Sequence, residues 1–269
     1  MNWVFSWDAQ ECAELARHHG FSCVQWGIID PDEAKAKKAA EAFGEAEIEV
    51  VALAAYQNII SADPEVKAKS IDTITRFIEF SRYFPNSLGI ATETGTKHPS
   101  DPWGFDPLNL EAPAWQEMLD VLRPLGEQAK AADTQLLIEG YIENVVRTPA
   151  EIKRVKADLD PAAFGFVMDP FNLLEEAQLT QQPAALADIF TSMQGATPIA
   201  HAKDVRYTAG KISTPRSGTG VFDFPAYFKL LDEQLPGAPL MLEHLEAHEV
   251  DETLDFLKTQ YEHYLKSCN

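Results

Sequence analysis

Cysteine is scarce in this 269-residue chain. Its three thiols, Cys12, Cys23 and Cys268, form no CxxC pair and no even framework, which suits a reducing compartment better than a disulfide-stapled secreted fold. Basic residues are few as well. The 22 Lys and Arg stand against 42 Asp and Glu, a net charge of −20, and no Lys/Arg run forms a local basic groove. Nucleic acid is therefore not an expected partner. No window approaches the roughly 18 apolar residues of a membrane span, and no basic segment followed by an apolar stretch opens the chain. We expect no membrane partner and a cytoplasmic protein. A GxGxxG turn is also missing, which argues against a dinucleotide-binding doubly wound sheet, and no repeat, linker or low-complexity segment interrupts the order.

What is present is a steady alternation. With 45% hydrophobic residues the chain can bury a full core, and its length fits one barrel domain over residues 1–269. Short apolar runs at Met1–Ser6, Phe21–Trp26, Ile48–Leu53, Leu88–Ala91, Gln135–Glu139, Phe164–Asp169, Pro198–His201 and Pro239–Glu243 read as eight strands. Amphipathic segments separate them, with start signals at Asp8, Asp30-Pro31, Asp63-Pro64-Glu65 and Thr148-Pro149-Ala150-Glu151. Helix-length crossovers require a parallel sheet. Eight units favour its closure into a (β/α)8 barrel.

Four of the runs end in residues that carry chemistry. Leu136-Leu137-Ile138 meets Glu139, Phe164–Met168 meets Asp169, Pro198-Ile199-Ala200 meets His201, and Leu240-Met241-Leu242 meets Glu243. Successive members lie 30, 32 and 42 residues apart, about one strand-helix unit each. In a closed parallel barrel the strand C-termini share one mouth, where such folds place their chemistry. Three clustered carboxylates raise one another's pKa and cost stability unless a cation joins them. Oxygen-rich ligation of this kind favours Mn²⁺ or Mg²⁺, with Zn²⁺ or Co²⁺ also permitted by affinity order.

The motifs Leu137-Ile138-Glu139, Val167-Met168-Asp169, His201-Ala202-Lys203-Asp204, Gly218-Thr219-Gly220 followed by Asp223, and Leu242-Glu243 together resemble the xylose isomerase-like TIM-barrel family of sugar and sugar-phosphate isomerases and epimerases. The resemblance covers most of the chain. It implies one divalent metal ion on Glu139, Asp169, His201 and Glu243, and an acid-base pair made of Glu139 and Glu243. The implied reaction is proton transfer next to a carbonyl through a metal-stabilised enediolate, and the implied partner is a small sugar or sugar phosphate, with room for a homo-oligomer. One departure is visible. Epimerases of the family commonly carry a histidine three residues after the metal aspartate, and this chain has Asn172 there.

Asn172 can hydrogen-bond a sugar hydroxyl without titrating, and Arg206 follows the metal histidine near where the family places a substrate-binding arginine. Glu93, Asn58, Trp7 and Trp26 end or follow other strands and could hold a polyol by hydrogen bonds and ring stacking. Lys203, with Asp204, is expected to orient substrate or to fix the tautomer of His201. His244 follows Glu243 on the same strand, so alternation sends it away from the mouth. Two further enzyme readings share this fold: a metal-dependent sugar-acid or polyol dehydratase, and an apurinic-site endonuclease, which the charge of −20 opposes. A barrel that binds sugar without turnover is a third, opposed by the paired glutamates.

Overall fold

A computed structural model describes residues 8–28 and 30–267. The expected first strand, Met1–Ser6, and the expected site residue Trp7 lie outside the described residues. The chain runs α1 (Ala9–His18), β1 (Cys23–Trp26), α2 (Glu33–Glu45), β2 (Glu49–Ala54), α3 (Pro64–Phe80), β3 (Ile90–Glu93), α4 (Ala112–Ala131) and β4 (Leu136–Glu139). It continues through α5 (Pro149–Asp158), β5 (Phe164–Met168), α6 (Gln182–Met193), β6 (Ile199–Ala202), a hairpin of β7 (Arg206–Thr208) and β8 (Lys211–Ser213), α7 (Phe224–Gln234), β9 (Leu240–Leu242) and α8 (Val250–Ser267).

Seven strands form one parallel sheet in the order β1-β2-β3-β4-β5-β6-β9. The sheet curls into a nearly closed barrel. Where the alternation predicts eight strands, seven are present among the described residues, and β9 and β1 do not pair there. Among the described residues, no helix is long and apolar enough to cross a membrane.

Side-chain oxygens start several helices as the sequence requires. Asp63 accepts from the amides of Glu65 and Val66, with Pro64 in the first turn of α3. Asp8 does the same for Gln10 and Glu11 in α1. The start expected at Asp30-Pro31 falls instead at Asp32, whose Oδ1 lies 2.8 Å from the Lys35 amide. Asp30 has φ +46°, a turn conformation incompatible with the extended backbone of a cap.

Strand alternation then sorts the core into two layers. Leu53, Ile90, Leu136, Ile138, Phe164 and Phe166 pack outward with the helices, whereas Ala52, Ala91, Leu137, Val167 and Ile199 form a separate cluster on the barrel axis. Burial of a side chain like Leu137, fully shielded from solvent, contributes about 1.5–3 kcal/mol. Its bulk is admitted because Gly165 stands beside it: a Cβ there would lie 2.9 Å from Leu137 Cδ2 and from the Ala196 carbonyl oxygen.

Candidate metal centre

The polar layer of the barrel continues the inner apolar one by a single step of the strand repeat. Two residues beyond Ala91, Leu137, Val167 and Ile199 stand Glu93, Glu139, Asp169 and His201. Met241 is in register with His201, and two residues beyond it stands Glu243. The alternation therefore turns all five side chains toward the axis at the strand C-termini.

The structure brings the four ligands expected from the sequence together. One donor atom from each of Glu139, Asp169, His201 and Glu243 lies within 4.8 Å of the other three. His201 Nδ1 is 3.1 Å from Asp169 Oδ2, 3.4 Å from Glu243 Oε1 and 3.6 Å from Glu139 Oε2. Lys203, almost wholly buried, reaches the same carboxylates. Its Nζ is 2.5 Å from Asp169 Oδ2, 2.8 Å from Glu243 Oε2 and 3.9 Å from Glu139 Oε1.

The tautomer of His201 is set from a different direction than expected. Its Nε2 lies 2.8 Å from Gln25 Oε1, the Gln25 amide donates to the Tyr56 hydroxyl at 2.8 Å, and that hydroxyl donates to Glu139 Oε2 at 2.5 Å. Once Glu139 is ionised, as it would be beside a bound cation, its carboxylate only accepts, and every link in this chain then has one direction. In that state Nε2 carries hydrogen, and Nδ1, which faces the three carboxylates, can offer a lone pair once a cation displaces the proton it shares with them. Four acceptors then face one point, an arrangement that could hold a metal cation. Three carboxylates and the Lys203 ammonium leave two negative charges, which a divalent ion neutralises. The residues present fit such an ion.

Burial and neighbours pull the titrating groups apart. Burial lifts Glu139 to about 8, against the pull of His201 and Lys203. Burial also favours the neutral forms of Asp169 and Glu243, yet the adjacent His201 and Lys203 hold both below their ordinary values. Burial alone would depress His201, and the Glu243 and Glu139 charges lift it to about 10. Lys203 is likewise raised by Asp169, Glu243 and Glu139 against its own burial.

Above the cluster opens a cavity of about 180 Å³. Of the further expected residues, Glu93, Asn172 and Lys203 line it. Asn172 donates to Glu139 Oε1 at 2.6 Å and to Asp169 Oδ2 at 3.2 Å. Glu93 accepts from Asn144 at 2.8 Å, and burial lifts its carboxyl to about 8.

Four expected residues are placed elsewhere. Trp26 pairs with Leu53 in register, which puts it on the helix-facing side, where its ring meets Phe43 at 5.3 Å. Asn58 grips the backbone of Thr96, accepting from its amide at 3.0 Å and donating to its carbonyl at 2.9 Å, so it fastens two loops. Arg206 is exposed on the β7-β8 hairpin and donates to the Thr219 carbonyl. Asp204 is neither ligand nor orienter of His201: it accepts from the amides of Val205, Gly218 and Phe222 and anchors the following loop.

His244 overturns its expectation in the opposite sense. It lines the cavity because φ +58° at that residue ends the alternation that would have sent it outward. Its Nδ1 lies 2.9 Å from Thr214 Oγ1. Sequence reasoning missed Gln25, Tyr56, Trp103, Tyr141 and Thr214. Alternation alone marks Gln25 as inward beside outward Trp26; the loop residues give no periodic signal.

A family model described as xylose isomerase-like TIM barrel matches residues 13–260. No curated protein matches the chain. Among solved structures, 3-keto-D-glucoside 4-epimerase from E. coli is similar at 19% identity and TM-score 0.71, covering 96% of this chain and 97% of the other. A xylose isomerase-like TIM barrel protein from Mycobacterium smegmatis, solved in complex with magnesium, shares 16% identity at TM-score 0.69, with 94% and 88% covered. The probable 3-DHS dehydratase of petrobactin synthesis from Bacillus anthracis shares 13% at TM-score 0.67, with 91% and 90% covered. At these identities the likeness carries the fold alone.

Proposed function

The chain belongs to the xylose isomerase-like TIM-barrel family, and from that premise we propose that it is a divalent-metal-dependent sugar isomerase or epimerase. The observation that carries the reading is the convergence of Glu139, Asp169, His201 and Glu243 on one point with His201 Nδ1 turned inward. A bound divalent ion supplies Lewis-acid polarisation of a carbonyl oxygen and its neighbouring hydroxyl. Mn²⁺ or Mg²⁺ suits three carboxylates and one imidazole.

The remaining work falls to side chains of this chain. Glu139 rises from β4 and Glu243 follows β9, strands separated in the sheet by β5 and β6, so the two carboxylates approach a shared carbon from different sides of the mouth. One removes the proton next to the carbonyl and the other returns a proton, on the neighbouring carbon for an isomerase or on the opposite face for an epimerase. Lys203 keeps Asp169 and Glu243 ionised. Asn172 stands where epimerases of the family carry a histidine; its NH2 group donates to Glu139 and Asp169, which leaves its amide oxygen for a substrate hydroxyl. An amide orients a hydroxyl and carries no proton away, so the acid-base work stays with the glutamates. Expulsion of a hydroxyl after the same proton abstraction would make the product one water lighter, which mass spectrometry separates from an isomer.

The test uses exchange with D₂O in Mn²⁺-loaded protein. Glu139→Gln and Glu243→Gln each keep an oxygen donor but lose the titrating group, so deuterium incorporation next to the carbonyl falls by the roughly 10²- to 10⁴-fold that general acid-base catalysis supplies. Mn²⁺ affinity falls less than turnover. Wild-type exchange rates in both variants would remove the glutamates from the reaction.

A further inference from the structure

The cavity above the cluster is short of cations that a substrate could use. Glu93, Glu139 and Glu243 present carboxyl groups to it, and Lys203 is the one Lys or Arg among its described lining residues. That ammonium is already engaged, 2.5 Å from Asp169 and 2.8 Å from Glu243.

The other basic side chains near the mouth are absent from the described lining of the cavity. Arg147 lies over the Phe105 ring at 5.3 Å, Lys97 is 2.5 Å from Glu117, and Arg216 is held 2.9 Å from both Glu249 and Glu252. Arg206 is turned to the Thr219 carbonyl.

What the walls do offer is neutral. Asn172, Thr214 and His244 present an amide, a hydroxyl and an imidazole that faces Thr214, while Trp103 and Tyr141 stand edge to face with ring centroids 6.4 Å apart. Such walls hold hydroxyls by hydrogen bonds and a sugar's C–H face by apolar contact.

We infer that this cavity takes an uncharged keto-sugar and discriminates against phosphate esters and sugar acids. The inference rests on the isomerase reading for the carbonyl, while the charge selection stands on the cavity walls alone. An anionic group brought to these walls finds no unpaired ammonium or guanidinium among the described lining residues to replace its hydration, which is how sites reject the wrong partner. Phosphate adds a second cost. Its doubly charged group must shed more hydration than a monoanion does, against walls whose one ammonium is already held by Asp169 and Glu243.

The experiment compares matched pairs on full-length protein loaded with Mn²⁺ or Mg²⁺: D-fructose with D-fructose 6-phosphate, and D-ribulose with D-ribulose 5-phosphate. Binding is read by tryptophan fluorescence with Trp103→Phe as the control and by saturation-transfer NMR with the Mg²⁺ form. Chemistry is read by deuterium exchange. The expected result is that each free ketose binds at least tenfold more tightly than its phosphate. Thr214→Lys, which places a cation on the wall, should narrow that ratio at least tenfold. Selective binding of free ketoses without any exchange upholds the charge selection and sinks the isomerase reading. Equal or tighter binding of the phosphates, silence from both free ketoses, or a ratio unmoved by Thr214→Lys overturns the inference.

Discussion

Replacing Gln25 by leucine removes a residue that touches no metal and yet should weaken metal binding. In the wild type its oxygen receives the Nε2 hydrogen of His201 at 2.8 Å, and its amide supplies the Tyr56 hydroxyl that in turn holds Glu139. Leucine fills similar space and breaks both links. His201 is fully buried, so its Nε2 hydrogen is left unsatisfied at a cost of about 1–3 kcal/mol. The tautomer with hydrogen on Nδ1 becomes competitive, and that tautomer cannot donate a lone pair to an ion. Loss of an outer partner of a metal histidine typically weakens affinity by roughly 10- to 100-fold, equivalent to about 1.4–2.8 kcal/mol. The two estimates overlap. Titration calorimetry with Mn²⁺ measures the affinity, and ¹⁵N-¹H long-range correlation of the Mg²⁺ form reads which nitrogen of His201 carries hydrogen. Gln25→Glu keeps an acceptor for His201 while losing the donor to Tyr56, so it should retain the tautomer better than leucine does. Unchanged Mn²⁺ affinity together with an unchanged Nε2-H signal in Gln25→Leu would refute the argument.

Two further outcomes follow from burial. Glu93 keeps its proton up to about 8 in the fold because it is buried, against an ordinary value of 4.5, so the metal-free protein loses stability as pH rises between these values. Glu93→Gln removes that slope, gaining about 3 kcal/mol over the parent at pH 7 and nothing below about pH 4; melts of both proteins that stay parallel across this range would contradict it. Gly165→Ala forces a methyl to within 2.9 Å of Leu137 Cδ2 and the Ala196 carbonyl oxygen, and overpacking of this kind costs about 1–3 kcal/mol. Urea unfolding should show a lower midpoint at unchanged slope, and a midpoint equal to or above the parent's would mean the floor of the barrel has room that the structure denies.

The candidate ligand set was legible in the sequence because each apolar run is short and its parity is carried through to the polar end. Leu137 faces the axis, so Glu139 does; Val167 and Asp169, and Ile199 and His201, repeat the relation. The same rule applied to Phe21–Trp26 would have chosen Gln25 over Trp26, since neighbours on a strand face opposite sides, but an indole draws attention as a stacking surface that an amide does not. His244 defeated parity because its left-handed backbone leaves the strand geometry, and nothing in the residue type announces that. Arg206 misled through chemistry: a guanidinium near the metal histidine suggests a substrate clamp, whereas the hairpin Arg206–Ser213 lifts it to the surface. Trp103, Tyr141 and Thr214 sit in loops whose path depends on contacts distant in sequence, such as Asn58 fastening the Thr96 backbone.

The hydrogen bond between His201 and Gln25 joins β6 to β1, although β9 stands at the edge of the sheet beyond β6, and the bond between Tyr56 and Glu139 joins the segment after β2 to β4 across β3. At the rim, strands that never pair along their backbones are therefore lashed together by side chains. The aperture of the mouth is set by the lengths of an imidazole, an amide, a phenol and a carboxylate. A hoop of this kind tightens or slackens as a unit, so a change at any one of its four members reaches the strands on both sides of the unpaired β9 and β1 edges.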